Sequence, residues 1–436
     1  MPATLTEHRG LRLGALGTLY LGQGLPEGLL YVTVPAWLAA QGISASDIGQ
    51  YVAIILLPWS LKLLNGPLIE RWTYLPMGRR RPWILAAQCG LTGGLLTLLA
   101  VPDPAGGLGA LTAIGFSINF FASFQDVAID GMAIDILPEG ERARANGIMW
   151  GGKTIGISAS AGLSGAVMAA WGFDSAVVVV AILVGLVMLV PLLLRERPGE
   201  RLVPWSAGEA SPVARELQLD NWRAIGVDLW RALVPRASML LILLTFLALM
   251  VYGLDTAALP VLAVQELTWA QDYFSTVAMW AGLAAGLFGM AIGGPVIDRF
   301  GAARILALSL ALTAATHLAM AVLRPHWNSG GVIEAYMLVY GVLYVVMSVA
   351  LYATAMRLCE RHVAATQFAI YMAVVNLGTS AGAALLGTLR AVGGYQITFA
   401  LMGLGSVVAL GVLALLVASL EQKPIRLSQS DRRHLL

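Results

Sequence analysis

Apolar runs long enough to cross a lipid bilayer recur along this chain, and they constrain its fold more than any motif does. A run of ~20 residues rising 1.5 Å per residue spans the ~30 Å of hydrocarbon in a membrane. Twelve such runs occupy residues 13–40, 48–69, 83–101, 108–136, 146–170, 174–194, 238–265, 272–297, 302–323, 332–358, 364–390 and 395–419. With 58% hydrophobic and 12% charged residues, a chain of 436 residues cannot clothe a globule in solvated surface. The expected class is an all-α integral membrane protein with twelve transmembrane helices. The first run follows Arg9 and Arg12 as a signal peptide would. It is too long for an h-region and has no small-residue cleavage site, so it is expected to be retained. Cys89 and Cys359 have no CxxC spacing and read as small buried hydrophobes. A net charge of +2 from scattered carriers leaves no nucleic-acid footprint.

The loops between the runs test this count, because Lys and Arg gather on the cytoplasmic side of a membrane protein. Of the 27 basic residues, 23 fall in alternate connections: Arg9 and Arg12, Arg71 to Arg81, Arg142 and Arg144, seven arginines from Arg195 to Arg236, Arg299 and Arg304, Arg357 and Arg361, and the four after residue 420. The opposite side carries only Arg324 and Arg390. Both termini are thus expected in the cytoplasm. The connection 195–237 divides the chain into an N-terminal six-helix bundle, 1–194, and a C-terminal one, 238–419, followed by a cytoplasmic tail, 420–436. Within the connection Leu219, Trp222, Ile225, Leu229 and Leu233 recur at helical spacing, which predicts an amphipathic helix lying on the membrane or docking a protein. Neither this linker nor the tail is long enough for the soluble output region of a membrane sensor. No Gly-x-Ser-x-Gly, His-Glu-x-x-His or P-loop string is present, so no enzyme, cofactor or metal is implied.

The halves repeat. Gly66-Pro67-Leu68-Ile69-Glu70-Arg71-Trp72 ends the second run, and Gly294-Pro295-Val296-Ile297-Asp298-Arg299-Phe300 ends the eighth, on the same side of the membrane. Such a match at equivalent positions predicts two parallel six-helix repeats. The layout resembles the major facilitator superfamily, whose G-x-x-x-D-R-x-G-R-R loop signature is similar to both strings. The first copy is interrupted between Glu70-Arg71 and Gly78-Arg79-Arg80, and the second lacks the basic pair after Gly301. Glu70, Arg71, Arg79, Arg80, Asp298 and Arg299 are expected to serve in gating.

A charge left in hydrocarbon costs at least about 2.5–3.5 kcal/mol on insertion scales, so each asks for a partner, a wet cavity or a function. The runs hold Glu27, Lys62, Asp126, Asp130, Asp135, Lys153 and Asp255, with His317 as a neutral candidate. Asp126 and Asp130 share one helix face ~6 Å apart, where two carboxylates oppose each other's ionisation. A shared proton or a nearby cation resolves this, and Lys62 and Lys153 are the ammonium groups available at depth. Two readings stand: a structural ion-pair network, or a carboxylate that exchanges a proton while the lysines meet an anionic solute. Asp135 lies within reach of Arg71, Arg79 or Arg80 as a gate lock. Glu27 sits in Gly24-Leu25-Pro26-Glu27-Gly28, where proline and glycines loosen the first helix. Tyr336, Tyr340 and Tyr344 step down one helix face, and Tyr252, Asp255, Tyr371 and Asn376 could complete a wall with them.

Ser60-Leu61-Lys62-Leu63-Leu64-Asn65-Gly66-Pro67-Leu68, Gly78-Arg79-Arg80-Arg81-Pro82-Trp83 and Gln125-Asp126-Val127-Ala128-Ile129-Asp130-Gly131 resemble the AmpG-type muropeptide permease and acetyl-coenzyme A transporter branch of the major facilitators. The likeness covers most of residues 20–165. It implies a secondary transporter that moves a bulky anionic solute, muropeptide-like, or else acetyl-coenzyme A or a siderophore, by proton-coupled alternating access between the halves. Lys62, Gln125, Asp126 and Asp130 fall on family motif positions, and Lys153 falls where the permeases place a basic residue. Asn65 stands where an aromatic is usual. The expected solute contacts are Lys62, Gln125, Lys153, Tyr252, Tyr340, Tyr344 and Asn376. The expected proton carriers are Glu27, Asp126, Asp130 and Asp255. A monomer in the bacterial inner membrane is the corresponding expectation, and an excess of 24 arginines over 3 lysines suits a GC-rich source.

Overall fold

Backbone groups in hydrocarbon have no water to bond, so each apolar run must close its hydrogen bonds within itself, as a helix does. The computed structural model describes residues 4–138, 141–216, 230–231, 233–289, 294–329, 331–359 and 364–421, and over these the twelve runs are helical almost throughout. The helices are α1 Arg9–Glu27, α2 Val34–Ala40, α3 Ala45–Leu56, α4 Lys62–Arg71, α5 Arg81–Leu98, α6 Leu108–Ile136, α7 Arg142–Val187 and α8 Leu189–Leu193. There follow α9 Pro212–Glu216, α10 Arg236–Val261, α11 Gln271–Phe288, α12 Gly294–Phe300, α13 Ala302–Val322, α14 Val332–Leu358, α15 Ala364–Ala384 and α16 Leu386–Glu421. Non-helical backbone at Gly172 (φ 85°) breaks α7 between the fifth and sixth runs, and Gly394 (φ 66°) breaks α16 between the eleventh and twelfth. Leu219, Trp222, Ile225 and Leu229 of the expected amphipathic helix lie outside the described residues.

The chain forms two units, one of Met1–Val34 with Leu61–Asn221 and one of Pro35–Ser60 with Trp222–Leu436. Residues 35–60 thus cluster with the second unit, although they belong to the first six runs. The reason is local packing. Ser380 Oγ donates to the Ala53 carbonyl at 2.9 Å, Asn376 Nδ2 donates to the Trp59 carbonyl at 3.1 Å, and a Cβ at Gly49 would lie 2.7 Å from the Ala383 carbonyl. The core of the second unit includes Leu241, Leu244, Leu306, Leu351 and Leu413. Large apolar side chains such as Trp171, Leu243, Val322 and Leu404 face outward, as hydrocarbon solvent permits. Cys89 also faces outward on α5 rather than inward, which corrects its reading as a buried residue.

The repeat extends beyond the loop strings. Pro26 lies in the last turn of α1, and a π-helical turn, Gly28–Thr33, carries the chain into α2. Pro260 lies in the last turns of α10, and a second π turn, Leu262–Glu266, follows it. A proline removes one N–H and crowds the preceding carbonyl, and a widened turn relieves that crowding without ending the helix. The first and fifth runs of each half also meet through glycines. In the first unit a Cβ at Gly24 would stand 2.3 Å from the Lys153 carbonyl, and one at Gly156 would stand 2.2 Å from that of Leu21. In the second unit Gly253 meets Thr379 and Gly382 meets Met250 in the same way, at 1.8 Å each. Small residues let helix backbones approach where no hydrophobic force draws them together.

Replacing Gly382 with alanine is expected to destabilise the second unit by about 1–3 kcal/mol, because the methyl group has only backbone to push against. Gly411→Ala, where a Cβ would meet nothing within 4 Å, serves as the control. Thermal unfolding of the solubilised protein should fall for the first variant and hold for the second.

Candidate functional site

Around Lys62 and Lys153, the described charges of the first unit form two ion pairs, with a third carboxylate beside them. Lys62, at the start of α4, pairs with Oδ2 of Asp126 on α6, whose Oδ1 accepts from Gln23 Nε2 on α1 at 2.6 Å. Lys153 on α7 places its ammonium 2.9 Å from Glu27 Oε1 on α1 and 5.9 Å from the Trp150 ring centroid. Glu27 and Asp126 are 5% and 4% exposed, so each depends on its cation. Asp130, one turn beyond Asp126, is exposed, and its Oδ1 accepts from the hydroxyl of Tyr20. No ion pair among the described residues reaches it. Three carboxylates therefore share two lysines, and the cluster carries one excess negative charge when all are ionised.

Neighbouring amides complete the lining. Gln125 Nε2 reaches the Leu19 carbonyl at 3.5 Å while its buried Oε1 has no partner among the described residues. Asn65 donates to Ser123 Oγ at 2.9 Å, which gives the amide at this position a packing role. Tyr20 and Gln23 were not expected at the site from the sequence. With Glu27 they recur at three- and four-residue steps along α1, a polar stripe on an apolar helix, and that periodicity was the available signal.

In the second unit Asp255 on α10 is 5% exposed and accepts from the Tyr336 hydroxyl on α14. Tyr336 and Tyr340 lie parallel with centroids 5.7 Å apart, and Tyr252 stacks on Tyr344 at 3.8 Å. His317 on α13 is fully buried, 4.9 Å from the Tyr340 ring, and neither of its nitrogens has a hydrogen-bond partner among the described residues. The tyrosine ladder is thus brought against Asp255, the one buried carboxylate among the described residues of its unit. Asn376 is placed differently: its amide nitrogen donates to the carbonyls of Trp59 and Met372. Tyr371 bonds Ser238 and Gln367 at 2.8 Å each.

On the arginine-rich side, Asp135 at the end of α6 accepts from Arg79 Nη1 at 3.1 and 3.2 Å and from Arg80 Nε at 3.0 Å. Arg71 closes α4, Arg299 is exposed over the Phe300 ring, and the side chains of Glu70 and Asp298 fall outside the described part of the structure. The chain after α8 straps this end of the unit. Glu196 is fully buried, and its carboxylate accepts from the backbone N–H groups of Arg79, Arg80 and Arg81 at 3.1, 2.7 and 2.7 Å, at the N-terminus of α5. Those donors have no helical acceptor, and the positive end of the helix favours an anion. Arg81 returns the contact by donating to the carbonyls of Pro191, Arg201 and Leu202. This clamp was missed because the Arg195-Glu196-Arg197-Pro198-Gly199-Glu200-Arg201 string reads as a solvated charge run.

Glu200 in the strap is also fully buried, accepting from the Arg197 N–H at 3.0 Å and from Ser211 Oγ at 3.3 Å. Burial, then the neighbouring Glu196 charge, pushes its pKa up to about 7. A carboxyl raised in the docked state binds a proton that the undocked strap releases, so its contribution is full below the ordinary carboxylate range and is lost as pH rises through about 7. Amide exchange over 195–211 should accelerate between pH 6 and pH 8 beyond the intrinsic increase. Glu200→Gln should abolish the excess.

A family profile of the Major Facilitator Superfamily matches residues 16–383. An anhydromuropeptide permease of Escherichia coli (strain K12) is 31% identical over 158 residues, which cover 35% of this chain and 31% of that protein. An uncharacterized protein of Haemophilus influenzae is 36% identical over 125 residues, 29% of each chain. The matched part is thus under a third of the length of either curated relative. A protein of Rickettsia conorii described as putative transporter AmpG 4 is 22% identical over 379 residues, 84% of this chain and 87% of that one. Among solved structures, the nucleoside transporter NupG superposes with a TM-score of 0.70 at 14% identity, covering 93% of this chain and 99% of its own. A POT family transporter gives 0.71 at 13% identity, covering 94% and 97%. With a family match across most of the chain, the protein belongs to the Major Facilitator Superfamily of multi-pass membrane transporters.

Proposed function

We propose that this transporter is proton-coupled and moves a bulky anionic solute of the muropeptide class by alternating access. The observation that carries the reading is the charge imbalance of the first unit: Glu27, Asp126 and Asp130 against Lys62 and Lys153, with Asp130 accessible and held by a hydroxyl instead of a cation. A proton on Asp130 balances the cluster. A carboxylate or phosphate of the solute then competes with Glu27 and Asp126 for the two ammonium groups, and Gln125 Oε1, which has no partner among the described residues, takes a hydroxyl or amide donor. In the second unit Tyr252, Tyr340 and Tyr344 offer ring faces and hydroxyls, and Asp255 is a second carboxylate able to hold a proton. The name of the Escherichia coli relative supports the substrate class. The same proposal places both termini in the cytoplasm, on the arginine asymmetry, and takes the protein as a monomer of the inner membrane, on its family resemblance.

The purified protein in liposomes should accumulate labelled anhydromuropeptide when an inward proton gradient is imposed, in preference to acetyl-coenzyme A and a siderophore. Asp130→Asn should reduce gradient-driven accumulation about tenfold or more while preserving exchange of solute across the membrane. Lys153→Ala should reduce both by a similar factor, the scale of a lost charge-assisted hydrogen bond. Undiminished gradient-driven accumulation by Asp130→Asn would overturn the coupling assignment. Preferred accumulation of another solute would overturn the substrate class.

A further inference from the structure

The insertion that interrupts the first loop signature has no part in the site above, and it builds a groove of its own. Residues 72–77 leave α4, pass through a 3-10 turn at Leu75–Met77 and reach the start of α5. Arg71, Trp72, Thr73, Tyr74, Pro82, Trp83 and Ala86 line a groove of about 530 Å³. Its walls are fixed. Trp83 Nε1 donates to the Trp72 carbonyl at 2.6 Å, Thr73 Oγ1 donates to the Arg79 carbonyl at 2.8 Å, and the Trp83 ring stacks on Phe124 at 5.6 Å. Its rim is charged: Arg201 of the strap donates to the Tyr74 hydroxyl at 3.1 Å, and its backbone N–H bonds the Pro76 carbonyl at 2.7 Å. No carboxylate is among the lining residues that the structure describes.

We infer that this groove binds the headgroup of an anionic phospholipid from the arginine-rich side of the membrane. Two independent features favour that occupant. Trp72 is 62% exposed and Tyr74 43%, and amphipathic rings at this level belong with lipid headgroups and glycerol. The groove also runs into an exposed stripe of α5, formed by Ala86, Cys89, Gly93 and Leu96 at three- and four-residue spacing, along which an acyl chain can lie. Arg71 and Arg201 at the mouth supply the positive charge that a phosphodiester with no compensating amine requires. The insertion in the loop signature thus builds an aromatic and basic seat. It lies at the end of the unit where Glu196 clamps the strap, so a lipid seated there also contacts the strap through Arg201.

Native mass spectrometry of the intact protein, released from detergent carrying equal phosphatidylglycerol and phosphatidylcholine, tests the inference without reference to transport. Phosphatidylglycerol should be retained about fivefold over phosphatidylcholine, the scale of one arginine near an anionic surface. Trp72→Ala should reduce that preference severalfold while unfolding temperature holds, and Arg201→Gln should reduce it too, although its guanidinium also donates to the Gly208 and Pro204 carbonyls of the strap. Leu404→Ala, on an outward face of α16, should leave it unchanged. Equal retention of the two lipids, or a preference unaltered in both groove variants, would overturn the site. Displacement of the bound lipid by millimolar glycerophosphoglycerol would reassign the groove to soluble phosphodiesters.

Discussion

Ionised side chains inside hydrocarbon govern how the first unit of this transporter is built. Isolated, each of Lys62, Lys153, Glu27 and Asp126 would carry a desolvation penalty of several kcal/mol or neutralise. Paired, they hold α1, α4, α6 and α7 in one register, because each ion pair joins two different helices. The two pairs engage both lysines of the unit. Asp130 is left with the Tyr20 hydroxyl, so a charge defect of one proton is a property of the arrangement and not of any single residue. In the proposed function, that defect is the place assigned to coupling.

Backbone packing and charge pairing are the same contact seen at two depths. Gly24 sits against the carbonyl of Lys153, and Glu27, three residues further along α1, pairs with the ammonium of that lysine. A side chain at Gly24 would push α1 from α7 and break the pair with it. The second unit repeats the glycine contact between its first and fifth helices without a lysine at the contact, and its buried carboxylate Asp255 is held by Tyr336. Duplication thus preserved the mechanical joint and the proline with its π turn, while the chemistry of the two units diverged.

Much of this was legible in the sequence because hydrocarbon imposes simple rules. Run length gave the helices, and the Gly66–Trp72 and Gly294–Phe300 strings gave the repeat. The Asp135 lock with Arg79 and Arg80 could be anticipated because the groups close neighbouring runs. What escaped was pairing over distance: which lysine meets which carboxylate depends on helix rotation, which composition does not encode. The packing of residues 35–60 with the second unit escaped for a similar reason, since Gly49 and Ser380 carry no charge to mark them. The Glu196 clamp was hidden because its partners are backbone N–H groups, invisible to a search for opposite charges.

The central claim is that the buried charges of the first unit exist as specific pairs, and a double-mutant cycle on Lys153 and Glu27 tests it most directly. Thermal unfolding in lipid nanodiscs would be followed for Lys153→Met, Glu27→Leu and the double variant. Each single change should destabilise by about 3–5 kcal/mol, since it strands a buried charge, and the double variant should recover most of that loss. Additive losses, or single variants as stable as the parent, would contradict the pairing and with it the assignment of the excess carboxylate to Asp130.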